Sequence, residues 1–336
     1  MNSYENKTVL ITGATGLIGN NLVDAFMKMR NVNVIALGRN EVKLRDEFSS
    51  YLSNELFSYC IQDISDPINL RQKVDFIFHA AGSMERSAIN SNPVDVIKPN
   101  ILGVINCLEF LKKQKEDLGV SGRLVVFSSI TIYANLQDND ISVTEDETNY
   151  ACKIDSSGAA YSESKRMIEV ITNAYVKQYS IDAVIARFST VYGPTRIMPN
   201  TAFYEFVKNH LEKKRISVNT PGLPRRDNIF ISDAIDGVIL VGLHGECGEA
   251  YNISSNGDLG NYASISEIAQ IIVDTSNGGT VLLSPSEKAI KRKPGIKLDN
   301  RKLKSLGWEP TVSLGHGIAK TINYFEERMK KKEPEM

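Results

Sequence analysis

Val9-Leu10-Ile11-Thr12-Gly13-Ala14-Thr15-Gly16-Leu17-Ile18-Gly19, residues 9–19, passes from an apolar run through spaced glycines into a stretch with helical periodicity. A short run of this kind reads as a strand buried on both faces, and the glycines as the turn that opens a helix. The same alternation continues outward. Apolar runs at Val9–Thr12, Val32–Leu37, Leu56–Ile61, Phe76–His79, Leu124–Ser128 and Ala183–Arg187 read as strands. Helical patterns at Leu17–Met29, Val42–Phe48, Val94–Lys115 and Ala159–Tyr179 fall between them. Strands separated by helices require crossover connections, so the expected fold is α/β, a doubly wound parallel sheet covered on both faces.

The glycine turn carries chemistry as well as geometry. Gly13, Gly16 and Gly19, with Thr15, Leu17 and Ile18 between and beside them, permit a tight turn and close approach of the backbone to a pyrophosphate. The amides of the helix N-terminus then face the anion. At the first strand-to-helix turn of an alternating chain, this is the reading of a dinucleotide site. The second strand ends Leu37-Gly38-Arg39-Asn40, with no carboxylate before Glu41. An acidic residue there would bind the ribose hydroxyl of NAD, whereas an arginine pairs with the 2′-phosphate of NADP, so NADP is expected over NAD.

The chain has 336 residues, with 39 basic against 40 acidic side chains and a net charge of −1. That balance gives no electrostatic drive toward nucleic acid or acidic lipid. No apolar run approaches the roughly 18 residues of a membrane helix, and the polar start leaves no room for a leader, so a cytoplasmic protein is expected. Cys60, Cys107, Cys152 and Cys247 lie far apart without a CxxC pair, and neither a metal site nor a disulfide is expected. Past Arg187 the alternation breaks into proline-bearing loops and separate helical patterns at Ala202–Glu212, Ile265–Asp274 and Leu314–Arg328. Residues 1–188 are therefore expected to form the dinucleotide-binding domain, and 189–330 mostly a smaller C-terminal substrate-binding domain. Residues 228–254, with apolar runs at Asn228–Ile231 and Ala250–Ile253, are the stretch able to return to the sheet.

Tyr161 and Lys165 stand four apart in a helical stretch and share one face. An ammonium near a phenol stabilises the phenolate and brings its proton within reach of acid-base work. The spacing alone is unspecific, since Tyr204/Lys208 and Tyr324/Arg328 repeat it. Context separates the first pair: it follows a strand ending Phe127-Ser128-Ser129, and open α/β sheets bind ligands at the carboxyl ends of their strands.

With these segments in hand, the sequence resembles the extended short-chain dehydrogenase/reductase family in its nucleotide-sugar epimerase/dehydratase branch. The resemblance runs in order through Thr12–Gly19, Asp63-Ile64, His79-Ala80-Ala81-Gly82, Ser128–Tyr133, Tyr161–Lys165, Arg187–Pro194, Arg226–Asp233, Tyr251-Asn252-Ile253 and Leu306–Pro310. It implies a Rossmann-like fold in which Asp63 and Ile64 lie against the adenine, and Ala80, Ala81 and Gly82 line the pyrophosphate and nicotinamide ribose. Ser129 is then the residue that bonds the reacting sugar hydroxyl, Tyr161 the acid-base and Lys165 the holder of the ribose hydroxyls. Thr131, Asn200, Arg226 and Arg292 fall with the nucleotide-sugar, the arginines suiting a diphosphate through their planar fork of donors. His79 is read as structural. The family also implies a homodimer through the helices at Val94–Lys115 and Ala159–Tyr179.

Departures narrow the reaction. Ala134 follows Tyr133 where the family usually has glycine, and Ser157-Gly158-Ala159-Ala160 precedes Tyr161 where a proline is frequent. Dehydratases of this branch place an Asp-Glu pair after the active-site serine or threonine, and the decarboxylases commonly a glutamate. Here Ile130 and Thr131 stand there, which disfavours dehydration and decarboxylation. The first expectation is an epimerase acting by transient oxidation at sugar C4. The alternative is an NADPH-dependent reductase of a 4-keto sugar, and a non-catalytic NADP sensor ranks below both.

Overall fold

The computed structural model describes residues 3–82, 89, 91–133, 141–148, 151–156, 158–276, 278–284 and 295–330. In chain order the first half comprises Thr8–Thr12 (β1), Leu17–Met27 (α1), Asn33–Gly38 (β2), Glu41–Glu47 (α2), Phe57–Ile61 (β3), Phe76–His79 (β4), Pro93–Leu118 (α3), Arg123–Ser129 (β5), Ser142–Val143 (β6), Ala159–Tyr179 (α4) and Asp182–Phe188 (β7). There follow Thr190–Tyr192 (β8), Ala202–Lys213 (α5), Arg215–Val218 (β9), Arg225–Phe230 (β10), Ile231–His244 (α6), Ala250–Ile253 (β11), Tyr262–Ser264 (β12), Ile265–Thr275 (α7), Thr280–Leu283 (β13), Lys297–Leu298 (β14), Arg301–Lys304 (α8) and Leu314–Lys330 (α9).

Seven strands form one parallel sheet in the order β11-β7-β5-β4-β1-β2-β3. Residues alternate between its two faces. Val9, Ile11, Val34 and Ala36 pack with Leu22, Val23 and Phe26 of α1 and with Ala234, Ile235 and Val238 of α6. Leu10, Ile35 and Leu37 pack on the opposite face with Val104 and Leu108 of α3 and Ile168 of α4. Burial on both faces is why these strands read as continuous apolar runs. The chain winds outward from β1 through β2 and β3, then returns to the other side of β1 at β4. The carboxyl ends of β1 and β4 thus flank the point where strand order reverses, the crevice position of an open α/β sheet.

Ala250–Ile253 takes the edge of the large sheet beside β7, with Tyr251 opposite Ala186 and Ile253 opposite Phe188. Asn228–Phe230 does not return there: it pairs with Thr190–Tyr192, in a separate sheet of order β12-β10-β8. Strand β8 begins two residues past Phe188 and offers its own edge, which β10 takes. Helix α6 had no counterpart in the helical patterns of the sequence. It packs beside α1 on the large sheet, and its outward face is polar only at Ser232 and Asp236 before passing to the apolar, half-buried Ile239, Leu240 and Leu243, so the period that marks a surface helix fades along it.

Two buried aspartates tie the later segments to this frame. Asp227 of β10 accepts from Ser254 Oγ, Ser255 Oγ and the Leu298 amide. Asp233 in the first turn of α6 accepts from the amides of Thr311 and Val312 at 3.0 and 2.9 Å and from Thr311 Oγ1 at 2.7 Å. The carbonyl of Asp233 takes the indole N–H of Trp308 at 3.0 Å. Asp233→Ala leaves two amides and a hydroxyl without their acceptor, and should lower stability by about 3 kcal/mol. Urea unfolding followed by the fluorescence of Trp308, the single tryptophan, and by circular dichroism measures it. An unchanged midpoint would remove Asp233 from the frame.

Candidate active site

The turn after β1 is packed so closely that only backbone fits. Gly13 has φ +63°, and a Cβ on it would lie 2.6 Å from the Ala81 backbone, while one on Gly19 would lie 2.2 Å from the Gly13 carbonyl. Gly16 is the N-cap of α1 and no side chain caps it. The first-turn amides of Leu17, Ile18 and Gly19, which an α-helix leaves without internal acceptors, are therefore open to an anion. Thr15 completes this loop. Across the crevice, the Ala81 amide donates to Thr12 Oγ1 at 3.3 Å, and that hydroxyl pairs with His79 Nδ1 at 2.8 Å. Burial holds the His79 pKa down at about 3, with the nearby Lys165 charge acting in the same direction, so the ring is neutral. A Cβ on Gly82 would meet Asn100 Oδ1 at 2.7 Å and Lys165 Nζ at 3.5 Å. A cradle of bare backbone, an uncapped helix start and a lysine at its far end fits a dinucleotide.

At the adenosine end, Ile64 is buried and Asp63 Oδ1 accepts from the Ser65 amide at 2.8 Å. That bond, with Arg39 nearby, holds the Asp63 carboxyl below its ordinary range. Arg39 Nη1 stands 3.6 Å from Asp63 Oδ2, on a side chain 77% exposed. An ion pair so open to solvent contributes little, and it leaves the guanidinium free to be drawn to a stronger anion.

Ser129 ends β5, and Tyr161 and Lys165 project from the first turns of α4, all three buried. Ser129 stands close enough to the Tyr161 hydroxyl to draw the phenol's pKa downward. Lys165 Nζ lies 5.8 Å from the centre of the Tyr161 ring and donates to the Phe127 carbonyl at 2.8 Å. Burial pushes Tyr161 up to about 12, against the pull of neighbouring Ser129, and pushes Lys165 down to about 8, against the charge of Glu169. The two shifts run in opposite directions, each disfavouring the charged form of its group. The Thr131 amide donates to Ser129 Oγ at 3.2 Å, while buried Thr131 Oγ1 has no partner among the described residues.

Other positions from the sequence lie apart from this cluster. Arg226 is on β10 of the small sheet, with Nη1 donating to the Arg225 carbonyl at 3.0 Å, and Asn200 is exposed in the loop before α5. Arg292 lies outside the described residues. Two polar residues of the site carried no sequence signal. Asn100 is fully buried, donates to Ser164 Oγ at 2.9 Å, and keeps Oδ1 without a partner among the described residues. Glu169, one turn past Lys165, is bound by Arg187. Among the described residues no cluster of side chains is arranged to hold a metal, and no helix is long and apolar enough to cross a membrane.

Known proteins share this chain's sequence pattern and fold. The chain is 29% identical over 338 residues to UDP-glucuronic acid decarboxylase 1 of Xenopus tropicalis, covering 98% of this chain and 74% of that one. Its fold matches dTDP-glucose 4,6-dehydratase of Bacillus anthracis, solved in complex with NAD, with TM-score 0.80, 22% identity, and coverage of 96% of this chain and 98% of that one. UDP-glucose 4-epimerase of Thermotoga maritima, solved with UDP-glucose, matches with TM-score 0.80, 21% identity, and coverage of 96% and 99%. A family model described as the NAD dependent epimerase/dehydratase family matches residues 9–254. With that match spanning most of the chain and the fold and glycine turn in agreement, the protein belongs to the NAD dependent epimerase/dehydratase family, of the extended short-chain dehydrogenase/reductase type.

Proposed function

We propose that the protein is a nucleotide-sugar epimerase acting by transient oxidation at sugar C4. The observation that carries this reading is the buried set of Ser129, Tyr161 and Lys165, with Ile130 and Thr131 directly after Ser129. The bound nicotinamide supplies the hydride acceptor and donor. The chain supplies the rest. Ser129 orients the sugar hydroxyl, Tyr161 takes its proton and returns it, and Lys165 holds the ribose hydroxyls while its ammonium stabilises the phenolate. Ala80, Ala81 and Gly82 line the nicotinamide ribose, Asp63 and Ile64 the adenine, and Arg39 the 2′-phosphate that would make NADP the preferred dinucleotide. Thr131 and Asn200 would meet the sugar-nucleotide, and Arg226 with Arg292 its diphosphate.

Neither Ile130 nor Thr131 adds a second acid or base, the group that loss of water or carbon dioxide would call on. Similarity to curated decarboxylases nevertheless makes decarboxylation of a nucleotide uronic acid the second reading. Exposed Arg39 favours the third, reduction of a 4-keto sugar by NADPH. Incubation with a panel of UDP-, GDP-, CDP- and dTDP-sugars separates them. Epimer interconversion without net change in nicotinamide absorbance supports the proposal. Carbon dioxide release from UDP-glucuronic acid, or stoichiometric consumption of NADPH, would replace it. We also propose a homodimer, supported by the exposed apolar side chains Val94, Leu102, Met167 and Val170 on α3 and α4.

Tyr161→Phe removes one hydroxyl and should lower turnover by about 10²- to 10⁴-fold with dinucleotide affinity nearly unchanged. Retained turnover would show that another group moves the proton. Arg226→Ala should weaken binding of the matching nucleoside diphosphate and leave dinucleotide binding alone, as calorimetric titration with the four diphosphates would read; equal affinities for wild type and variant would take Arg226 out of the site. For Arg39→Ala the expected loss is specific to NADPH. A charge-assisted contact discounted for solvent exposure contributes about 1.5 kcal/mol, or roughly tenfold in affinity. Wild-type protein that binds NADH and NADPH equally would assign Arg39 to its ion pair with Asp63 alone.

A further inference from the structure

Beside Ser129 in the chain, Ser128 Oγ donates to Glu169 Oε1. Glu169 lies one helical turn past Lys165 on α4, and Arg187 of β7 grips it with Nε at 3.1 Å and Nη2 at 2.7 Å. The remaining guanidinium nitrogen of Arg187 donates to the Tyr133 hydroxyl and to the Glu145 carbonyl, each at 2.7 Å. Tyr133 ends the helical turn that starts directly after Ser129, and its hydroxyl reaches Asn252 Oδ1 of β11 at 3.3 Å. Side-chain exposure of the ion pair is only 5% for Arg187 and 10% for Glu169.

A pair buried this deeply loses much of its Coulombic gain to desolvation, and well-packed apolar residues are often as stable. Stability alone therefore gives little reason for it. Its connections give another: one carboxylate joins the helix that carries Tyr161 and Lys165 to the strand that carries Ser129, and one guanidinium joins both to the turn beyond Ser129. We propose that Glu169 and Arg187 are positioning residues, which hold the end of β5 at Ser129 in place beside Tyr161 and Lys165. The inference rests on the assignment of Ser129, Tyr161 and Lys165 as the reacting set.

Glu169 also acts on the charge of Lys165, with a definite sign. Lys165 faces Tyr161 and Glu169 on its own helix, neutral His79 of β4, the Phe127 carbonyl of β5 and Gly82 of the turn after β4. Burial lowers the lysine pKa and the Glu169 carboxylate opposes that fall. Without the carboxylate, Lys165 loses its proton at a lower pH, and whatever depends on the ammonium fails earlier as pH rises.

Glu169→Gln and the double variant Glu169→Met/Arg187→Met test both effects, the double variant because it leaves no unpaired buried charge if the single one fails to fold. Two readouts are taken on each: turnover on the sugar found by the panel, and NADH affinity against pH by fluorescence. Misplacement of the reacting groups should cost about 10- to 100-fold in kcat, with KM changed less than about threefold. The basic limb of both profiles should move to lower pH. Folded variants with wild-type kcat and an unmoved limb, or with lowered melting temperature alone, would overturn the positioning role. Tyr161→Phe run alongside tells the two claims apart: if it is active, the reacting set itself is wrong, and if it is inactive while the Glu169 variants behave as wild type, only the positioning claim falls.

Discussion

At the carboxyl end of β1 there is room for backbone and nothing else. Gly13 touches the Ala81 backbone across the point where strand order reverses, and Gly19 touches the Gly13 carbonyl. This contact fixes the angle at which α1 leaves the sheet and brings the turn after β4 to within reach of α4, where Gly82 borders Lys165 and Asn100. A side chain at residue 13 would sit 2.6 Å from the Ala81 backbone and push the two turns apart. The anion cradle and the lysine at its far end would separate together, because one close approach sets both.

The electrostatics of the site follow from the same closeness. Burial that costs a charged lysine part of its affinity for a proton also keeps a phenol neutral, so Tyr161 and Lys165 move in opposite directions within one turn of helix. Ser129 opposes the first shift and Glu169 the second. The site thus holds a protonated tyrosine and a lysine whose charge is sensitive to its neighbours, an arrangement suited to moving one proton in either direction.

Much of the fold was legible because the large sheet is buried on both sides: its strands could be read as apolar runs, and Ala159–Tyr179 coincides with the helix found. Helix α6 was not legible, since past Ser232 and Asp236 its outward face is apolar and the period fades. Asn228–Phe230 was apolar enough for either sheet, and only the edge offered by β8 decided between them. In the site, spacing could place Tyr161 and Lys165 on one face but could not distinguish them from Tyr204/Lys208, whose tyrosine is committed to the Gly193 carbonyl at 2.8 Å. Glu169, four past Lys165, has the spacing of an ordinary solvent pair; its partner Arg187 is distant in sequence and adjacent only because β7 lies beside β5. Asn100 sits within a long helix whose pattern gives no sign that one buried amide faces a turn.

Reversible hydride transfer at one carbon is the central claim, and a nucleotide-sugar carrying deuterium at C4 tests it directly. With the wild-type protein and no added dinucleotide, NMR of the equilibrated epimers is expected to find the deuterium still at C4 in both. Loss of the label from C4 to bulk dinucleotide or solvent, or its persistence only in unchanged starting sugar, would contradict the account.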